Sequence, residues 1–285
     1  MKQYLAILFI LFFLNPSFGQ KKLEIPESQV IHSFIEKLPE NLKEFKLADL
    51  RVSTDSLNIR IWQSHEIFSI NHNNAISSDY TIFTNGDKLI FASFNFTERI
   101  SNNILDSLLA SGIMNLKNEN YRGIDGNFVL IEISTKSKYK IVSFWSPNPE
   151  RSNDCKTVIH ILDMLDKTIS STELQNGFLN LLEPGGYRWG MTSIRIDRFL
   201  NKGIAKTDFY SQIEEKIKTE LNITEETNHW DYPLILVNNK PAKIADLNNY
   251  TDRDISKLEI IKPDNELIAL YGTNGSNGVV KLETK

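Results

Sequence analysis

The sequence has a single cysteine, Cys155, among its 285 residues. One cysteine can form neither an intramolecular disulfide nor a cluster of thiolate metal ligands. No basic block is present and acidic side chains outnumber basic ones, 36 to 32, so binding to a nucleic-acid backbone is not expected. Low-complexity tracts and fixed-period repeats are also lacking, which excludes collagen-like and solenoid architectures. What remains is the composition of an ordinary globular chain, with room for one large domain or two smaller ones.

A long apolar run occurs only at the N-terminus, at Tyr4–Leu14, preceded by Lys2 and followed by small residues up to Gly19. A cation, a short apolar stretch and small residues in that order are typical of a secretory signal peptide, with cleavage after Gly19. The run falls short of the roughly 20 residues that a transmembrane helix needs. No cysteine follows it to carry a lipid anchor. We therefore expect the remaining chain to be exported without an integral membrane span.

Alternating apolar and polar residues begin at residue 57. The alternation predicts four strands of an antiparallel meander, in the segments LNIRIWQ, IFSIN, DYTIFTN and KLIFASFNF. Asn85-Gly86, between the last two segments, predicts a two-residue type I′ turn. Before the meander, helix-spaced apolar residues punctuated by Pro26 and Pro39 predict one short helix and a linker.

Helical patterns interrupt the strands after the meander. An amphipathic helix is predicted in SNNILDSLLASGIMNL, followed by two strands and a second helix in CKTVIHILDMLDKTI. Strands grouped before helices favour an α+β fold over alternating parallel units. Further on, STELQNGFLNLLE reads as helix, EPGGYRWG as a turn-rich connector, SIRIDRFL as a short strand and TDFYSQIEEKIKTEL as a capped helix.

Patterns for catalysis or cofactor binding are scarce. Cys155 and His160 lie five residues apart on one predicted helix, about 140° around the axis, so they do not face each other. His65 and Glu66 are neighbours expected on opposite faces of a strand. His229 and its neighbours Trp230 and Asp231 are open to two interpretations, a hinge contact or an exposed linker. We predict no enzyme activity, no metal and no cofactor.

Aromatic residues offer two non-catalytic possibilities. Those on the meander and the following strands either fill the space between sheet and helices or line a ligand groove. The set is Trp62, Phe68, Phe83, Phe91, Phe94, Phe96, Phe144 and Trp145. In the PGGYRWG segment, Tyr187, Arg188 and Trp189 form a possible interface, because these residue types are enriched at interaction hot spots.

The C-terminal segment predicts a small βαβ-like module. PLILV reads as a strand, Asn238-Asn239 as a tight turn, DISKLEIIK as a second strand, NELIALYG as a short helix and NGVVKLETK as a closing strand. The three glycines Gly272, Gly275 and Gly278 lie at the connection from helix to strand. Phosphate-binding glycines instead precede a helix, so this row does not indicate a phosphate site.

The same segment resembles the end of the plug domain of TonB-dependent outer-membrane receptors, particularly the starch-utilisation type of Bacteroidetes. The resemblance covers about the last fifth of the chain, and Asn238-Asn239 stands where that family has Asp-Gly. The positions that carry it are Lys257, Glu259, Tyr271, Gly272, Gly275, Asn277, Gly278, Thr284 and Lys285. No series of barrel strands follows in this sequence, so we expect a plug-like module without a transport channel.

The sequence therefore predicts an α+β chain in which an antiparallel meander with packed helices is followed by a small plug-type module. Its segments are a signal peptide (1–19), an N-terminal helix and linker (20–56), an α+β domain (57–170), a helical connector (171–229) and the module (230–285). The lack of a catalytic constellation predicts a non-enzymatic protein, and the resemblance implies protein-protein contact in the periplasm or at the periplasmic face of the outer membrane. Its partner would be an outer-membrane receptor or another envelope protein. The alternative is a periplasmic protein that binds a small molecule or glycan on its aromatic sheet.

Overall fold

The computed structural model describes residues 21–86, 88–121, 123 and 126–285. The predicted signal peptide lies outside these ranges. Strands form two sheets, one of nine strands and one of four. No helix within the described ranges combines the length and apolar character that crossing a bilayer requires.

The nine-stranded sheet is built around the predicted meander. Its order is β1-β7-β6-β2-β3-β4, with β5 also paired to β4 and the hairpin β8–β9 joined to the end of β4. All of these pairs are antiparallel except β1 with β7. The strands are β1 Lys22–Glu24, β2 Leu57–Trp62, β3 Glu66–His72, β4 Ile76–Asn85, β5 Leu89–Asn95, β6 Phe128–Thr135, β7 Lys138–Trp145, β8 Gly185–Trp189 and β9 Thr192–Ile196.

Helices cover both faces of this sheet, because alternate residues of its central strands are apolar in both directions. One face carries α1 (Gln29–Phe45) over a core that includes Leu38 and Tyr139. The other face carries α2 (Glu98–Ala110), α3 (Asn153–Ile169) and α4 (Ser171–Leu181) over the larger core. The predicted α+β class, the meander and the helices after it are confirmed. We call this layered unit, residues 21–196, the main domain.

Helix α1 corrects the prediction for the N-terminal segment. Instead of one short helix ended by proline, a helix of 17 residues runs through Pro39. Proline removes one backbone donor from a helix. Leu38 and Leu42, which precede and follow it in the helix, are buried on the side that faces the sheet. Burial of this apolar face favours continuation of the helix beyond the proline.

Two turn predictions in the main domain are also wrong. Asn85 pairs with Leu89, so the loop between β4 and β5 has three residues, not the two of a type I′ turn. The EPGGYRWG segment, expected to be a connector, forms strand β8 and pairs with β9. Its glycines indicate a turn locally, but contacts with the main domain make the segment a strand. Strand β1 has no counterpart in the prediction.

The four-stranded sheet forms a second unit, residues 199–285, which we call the C-terminal unit. Its order is β11-β10-β13-β12, and β10 with β13 is its parallel pair. The helix α5 (Asp208–Glu220) packs on one face of the sheet and α6 (Asn265–Tyr271) on the other. The strands are β10 Leu234–Val237, β11 Lys240–Ala242, β12 Ile255–Ile261 and β13 Val279–Thr284.

The predicted elements of the C-terminal module are all present in this unit. Asn238 and Asn239 have φ of 50° and 62° and form the two-residue turn from β10 to β11. The strands on either side of α6, β12 and β13, are antiparallel neighbours. Residues 171–229, predicted as one connector, are divided by their packing. Phe178 belongs to the main-domain core, whereas Ile213 belongs to the core of the C-terminal unit.

Candidate functional site

The hairpin β8–β9 brings Tyr187, Arg188 and Trp189 to the edge of the main domain, but only one of these side chains is exposed. Trp189 lies against His65, with ring centroids 4.1 Å apart, and packs on the larger core. Tyr187 also packs on that core, and its hydroxyl donates to the carbonyl of Glu183 at 2.6 Å. Arg188 is exposed. The predicted interface therefore has Arg188 as its accessible member.

A cleft of about 810 Å³ lies between the hairpin and the C-terminal unit. It brings Tyr187 and Arg188 together with Tyr271 of the plug-like motif. We call it the interdomain cleft. Its remaining lining residues are Asn85, Gly86, Gly185, Gly186, Ser193, Ile194, Arg195, Leu234, Leu236, Asn239, Pro241, Ala242, Lys243, Asp246 and Asn274.

Asp197, which is 2% exposed, joins the two units beside this cleft. Its carboxylate accepts hydrogen bonds from the backbone N–H of Ile244, at 3.2 and 3.0 Å, and from the Arg195 guanidinium at 2.6 Å. Arg195 also donates to the carbonyl of Ala242. Burial raises the pKa of the Asp197 carboxyl, although Arg195 and the backbone donors oppose that shift. The contacts hold β9 against the start of the 3-10 turn that follows β11.

The glycines of the plug-like motif shape the connection from α6 to β13. Gly278 has φ of 91°, and a Cβ atom there would lie 2.8 Å from the carbonyl oxygen of Ile261. At Gly275 a Cβ would lie 2.5 Å from the carbonyl oxygen of Leu267. Gly272 ends α6 with φ of 61°. These positions require glycine for backbone geometry and close packing.

Other residues of the motif form hydrogen bonds within the C-terminal unit. The Asn277 amide donates to the carbonyl of Trp230 at 3.0 Å, and Trp230 packs on the main-domain core. The backbone N–H of Thr284 donates to the side chain of Asn238 at 2.9 Å. The backbone N–H of Lys285 donates to the carbonyl of Asp254 at 2.9 Å. His229 and Trp230 are half-buried, so the exposed-linker interpretation is wrong for them and Trp230 forms a contact between the units.

Lys257 and Glu259 lie on β12, the edge strand of the smaller sheet. Their side chains are 59% and 46% exposed and approach each other to 3.4 Å. An exposed ion pair of this kind contributes little to stability. These two motif residues therefore face outward, unlike the glycines.

The aromatic residues of the main domain both fill its cores and border a groove. Phe68 and Phe144 are buried in the larger core. A separate groove of about 420 Å³, which we call the aromatic groove, opens at one end of the sheet. It is lined by Trp62, Gln63, Ser64, Phe83, Asn85, Gly126, Phe128, Leu130, Trp145, Arg188, Gly190 and Met191.

The candidate nucleophile and bases lie apart. The Cys155 thiol is fully buried and donates to Glu119 at 3.1 Å, whereas His160 on the same helix is exposed. Burial lowers the pKa of His65 beneath Trp189. The neighbouring Glu66 accepts a hydrogen bond from Gln175 at 2.6 Å. Within the described ranges, no group of three or more His, Cys, Asp or Glu side chains is arranged to hold a metal ion.

The sequence analysis singled out Tyr187, Arg188, Asn239 and Tyr271 but not Ser193, Arg195 or Lys243 of the interdomain cleft. Ser193, Arg195 and Lys243 belong to no motif. Ser193 and Arg195 lie beside Arg188 because β8 pairs with β9, whereas Lys243 reaches the cleft through the packing of the two units. Comparisons of the chain with protein-family models, with curated proteins and with solved structures find no match.

Proposed function

We propose that this chain is an exported, non-enzymatic envelope protein that contacts another envelope protein through its plug-like module. The signal-peptide pattern at residues 1–19 supports export. The resemblance of the module to receptor plugs suggests an outer-membrane receptor, or a protein associated with one, as the partner. Within the module, Gly275, Gly278 and Asn277 have structural roles, so the motif supports a folded contact module better than a reaction centre.

The observation that carries this proposal is the outer edge of β12. The backbone N–H groups of Leu234 and Asn238 donate to the carbonyl oxygens of Gly278 and Leu282. The backbone groups of alternate β13 residues, Leu282 among them, therefore point toward β10. The β13 residues between these form the hydrogen-bonded pairs with β12. A β12 residue that lies opposite one of the others therefore points its backbone N–H and C=O away from β13. Leu258 lies opposite Leu282 and therefore directs its backbone N–H and C=O outward. Within the described chain, no other strand pairs with this edge.

An exposed edge can accept an extended segment of a partner as an additional strand. The backbone groups of Leu258 and Ile260 would supply hydrogen bonds to that segment. Lys257 and Glu259 would select its charge pattern, since they project from one face of the edge strand. We infer that the partner presents an extended segment with an acidic and a basic residue two positions apart.

Crosslinking in intact envelopes, followed by identification of the captured protein, tests the proposal. Leu258→Pro removes the outward donor without removing a ladder bond to β13. Leu258→Ala is the matched control, because it shortens the same half-buried side chain and keeps the donor. We expect the original chain and L258A to capture an outer-membrane receptor or its associated protein, and L258P to lose it. Equal capture by both variants would contradict edge pairing. Capture of only a second copy of the chain would mean that the edge pairs with that copy and not with an envelope protein.

A second candidate function, binding of a small molecule or glycan, is favoured by the aromatic groove. Aromatic walls with a few polar groups are typical of ligand sites. Met191, at the groove, is 63% exposed. Titration of tryptophan fluorescence with glucose and maltose should give a saturable change that Met191→Arg reduces. Met114→Arg is the control, since Met114 is exposed and lies outside the groove. Unchanged fluorescence in the original chain would count against this function.

A further inference from the structure

The wall of the interdomain cleft formed by the hairpin has two different faces. Tyr187 and Ile194 face each other across β8 and β9 and pack on the main-domain core. Because side chains alternate along a strand, the residues between them point the other way. These are Arg188, which pairs with Ser193, and Gly186, which pairs with Arg195. This second face, exposed at Arg188 and Ser193, is directed to the cleft.

Positive charge is concentrated on this face. Arg188 and Arg195 are diagonal neighbours across the hairpin, a relation that places such residues about 7–8 Å apart. Asp197 pairs with one nitrogen of Arg195, but the buried Nη1 has no hydrogen-bond partner within the described chain. Ser193 adds an exposed hydroxyl directly opposite Arg188. Gly186 leaves the space beside Arg188 open, since nothing lies within 4 Å of a Cβ placed there.

The opposite wall combines apolar and polar residues. Leu234 and Leu236 of β10 face α6 together with Tyr271, and all three line the cleft. The two leucines are 5% and 3% exposed, so the half-buried Tyr271 ring supplies the accessible apolar surface among them. Lys243 lies exposed at the same wall. The lining carboxylate of Asp246 accepts a hydrogen bond from the backbone N–H of Lys243 at 2.8 Å, so it is engaged within its own turn.

Two contacts hold the walls in place. The Thr273 hydroxyl donates to the carbonyl of Ser193 at 3.2 Å, and Arg195 donates to the carbonyl of Ala242. The cleft is therefore a space between two fastened units. Its volume of about 810 Å³ lies within the range of about 300–1,000 Å³ that small-molecule sites occupy.

We propose that the interdomain cleft binds a small organic anion. Its acidic group contacts Arg188 and Ser193, within the field of Arg195, and its apolar part lies on the ring of Tyr271, above Leu234 and Leu236. A guanidinium pairs with both carboxylate and phosphate through parallel hydrogen bonds, so the shared chemistry is an acidic group on an apolar body. This site is separate from the β12 edge and does not depend on the proposed partner.

Four aromatic probes of similar shape test the charge preference: benzoate, phenylphosphonate, benzyl alcohol and benzylamine. Saturation-transfer NMR with the full mature chain measures their binding. We expect benzoate or phenylphosphonate, or both, to bind, and the alcohol and the amine to bind at least about tenfold more weakly. The stronger of the two anions identifies the acidic group. Equal binding of the amine, or no binding of either anion, would overturn the proposal.

Variants locate the site. Arg188→Gln should weaken anion binding at least about tenfold, because the acidic group loses its charged donor. Gly186→Val should block the site without disturbing the strand, since Gly186 has open space and its φ is not positive. Arg99→Gln, on the exposed surface of α2, is the matched control and should bind as the original chain does. Inorganic phosphate tests the apolar contacts: binding as tight as that of phenylphosphonate would contradict them.

Discussion

The main domain and the C-terminal unit organise their interiors differently. Arg60 and Glu132 are 3% and 0% exposed, and they approach each other to 3.6 Å beneath α1. Glu132 also accepts hydrogen bonds from Trp62 at 2.6 Å and Tyr139 at 2.9 Å. The C-terminal unit has an apolar interior between its sheet and its two helices. Its precise geometry depends instead on glycine at the end of α6.

This difference indicates that the two units respond to different changes. A buried ion pair opposes removal of one partner, because the other charge is then left without compensation. Where a backbone connection is tightly packed, the addition of a single carbon atom lowers the stability. Substitutions that damage one unit should therefore leave the other folded. Hydrogen exchange measured region by region, together with urea unfolding, can distinguish the two responses.

The largest effect is expected from Arg60→Met. The substitution leaves the Glu132 carboxylate buried without its cation, at a cost of about 3–5 kcal/mol. Urea unfolding should show this loss, and hydrogen exchange should locate it in the main domain. The double variant Arg60→Met with Glu132→Gln removes both charges and keeps an acceptor for Trp62 and Tyr139, so it should recover most of the loss. A single variant whose free energy of unfolding stays within about 1 kcal/mol of the original chain would contradict this prediction.

The second prediction concerns the pH dependence of the stability of the main domain. Burial raises the pKa of the Asp79 carboxyl to about 6, against the attraction of Arg60. Between about pH 4 and pH 6 the native state therefore retains a proton that the unfolded state has lost. Raising the pH through this interval should reduce the free energy of unfolding, by at most about 3 kcal/mol. Burial also raises the pKa of Asp197, so the contribution of Asp79 is the difference between the original chain and Asp79→Asn. Equal pH dependence in the two chains would contradict the prediction.

The sequence predicted the elements that depend on local patterns. Strands β6 and β7 are the two strands expected between α2 and α3, and Asn238-Asn239 forms the expected turn. The errors occur where distant contacts decide the outcome. Pro39 lies within α1 because its neighbours are buried, and β8 is a strand because it pairs with β9 and packs on the main domain. The interdomain cleft has no local signal, since its walls come from segments far apart in sequence.

Glycine substitutions test the C-terminal unit. Gly278→Ala places a Cβ against the carbonyl of Ile261 at a positive φ, so we expect a loss of about 1–3 kcal/mol. Hydrogen exchange should increase around α6 and β13 and stay unchanged beneath α1. Gly177→Ala, within α4 and with nothing near the added carbon, is the control and should stabilise the chain by about 0.5–1 kcal/mol. Equal losses at both glycines would indicate a general sensitivity to added side chains.

The smallest effect on stability is expected at the exposed edge of the C-terminal unit. Glu259→Gln breaks the ion pair with Lys257. Because both side chains are largely in solvent, the free energy of unfolding should change by less than about 0.5 kcal/mol. Partner capture in intact envelopes should nevertheless fall, because the substitution alters the charge pattern that an added strand would meet. Gly278→Ala should affect stability first, whereas E259Q should affect capture alone. A large loss of stability in E259Q would mean that these charges support the fold, and it would remove them from the proposed contact.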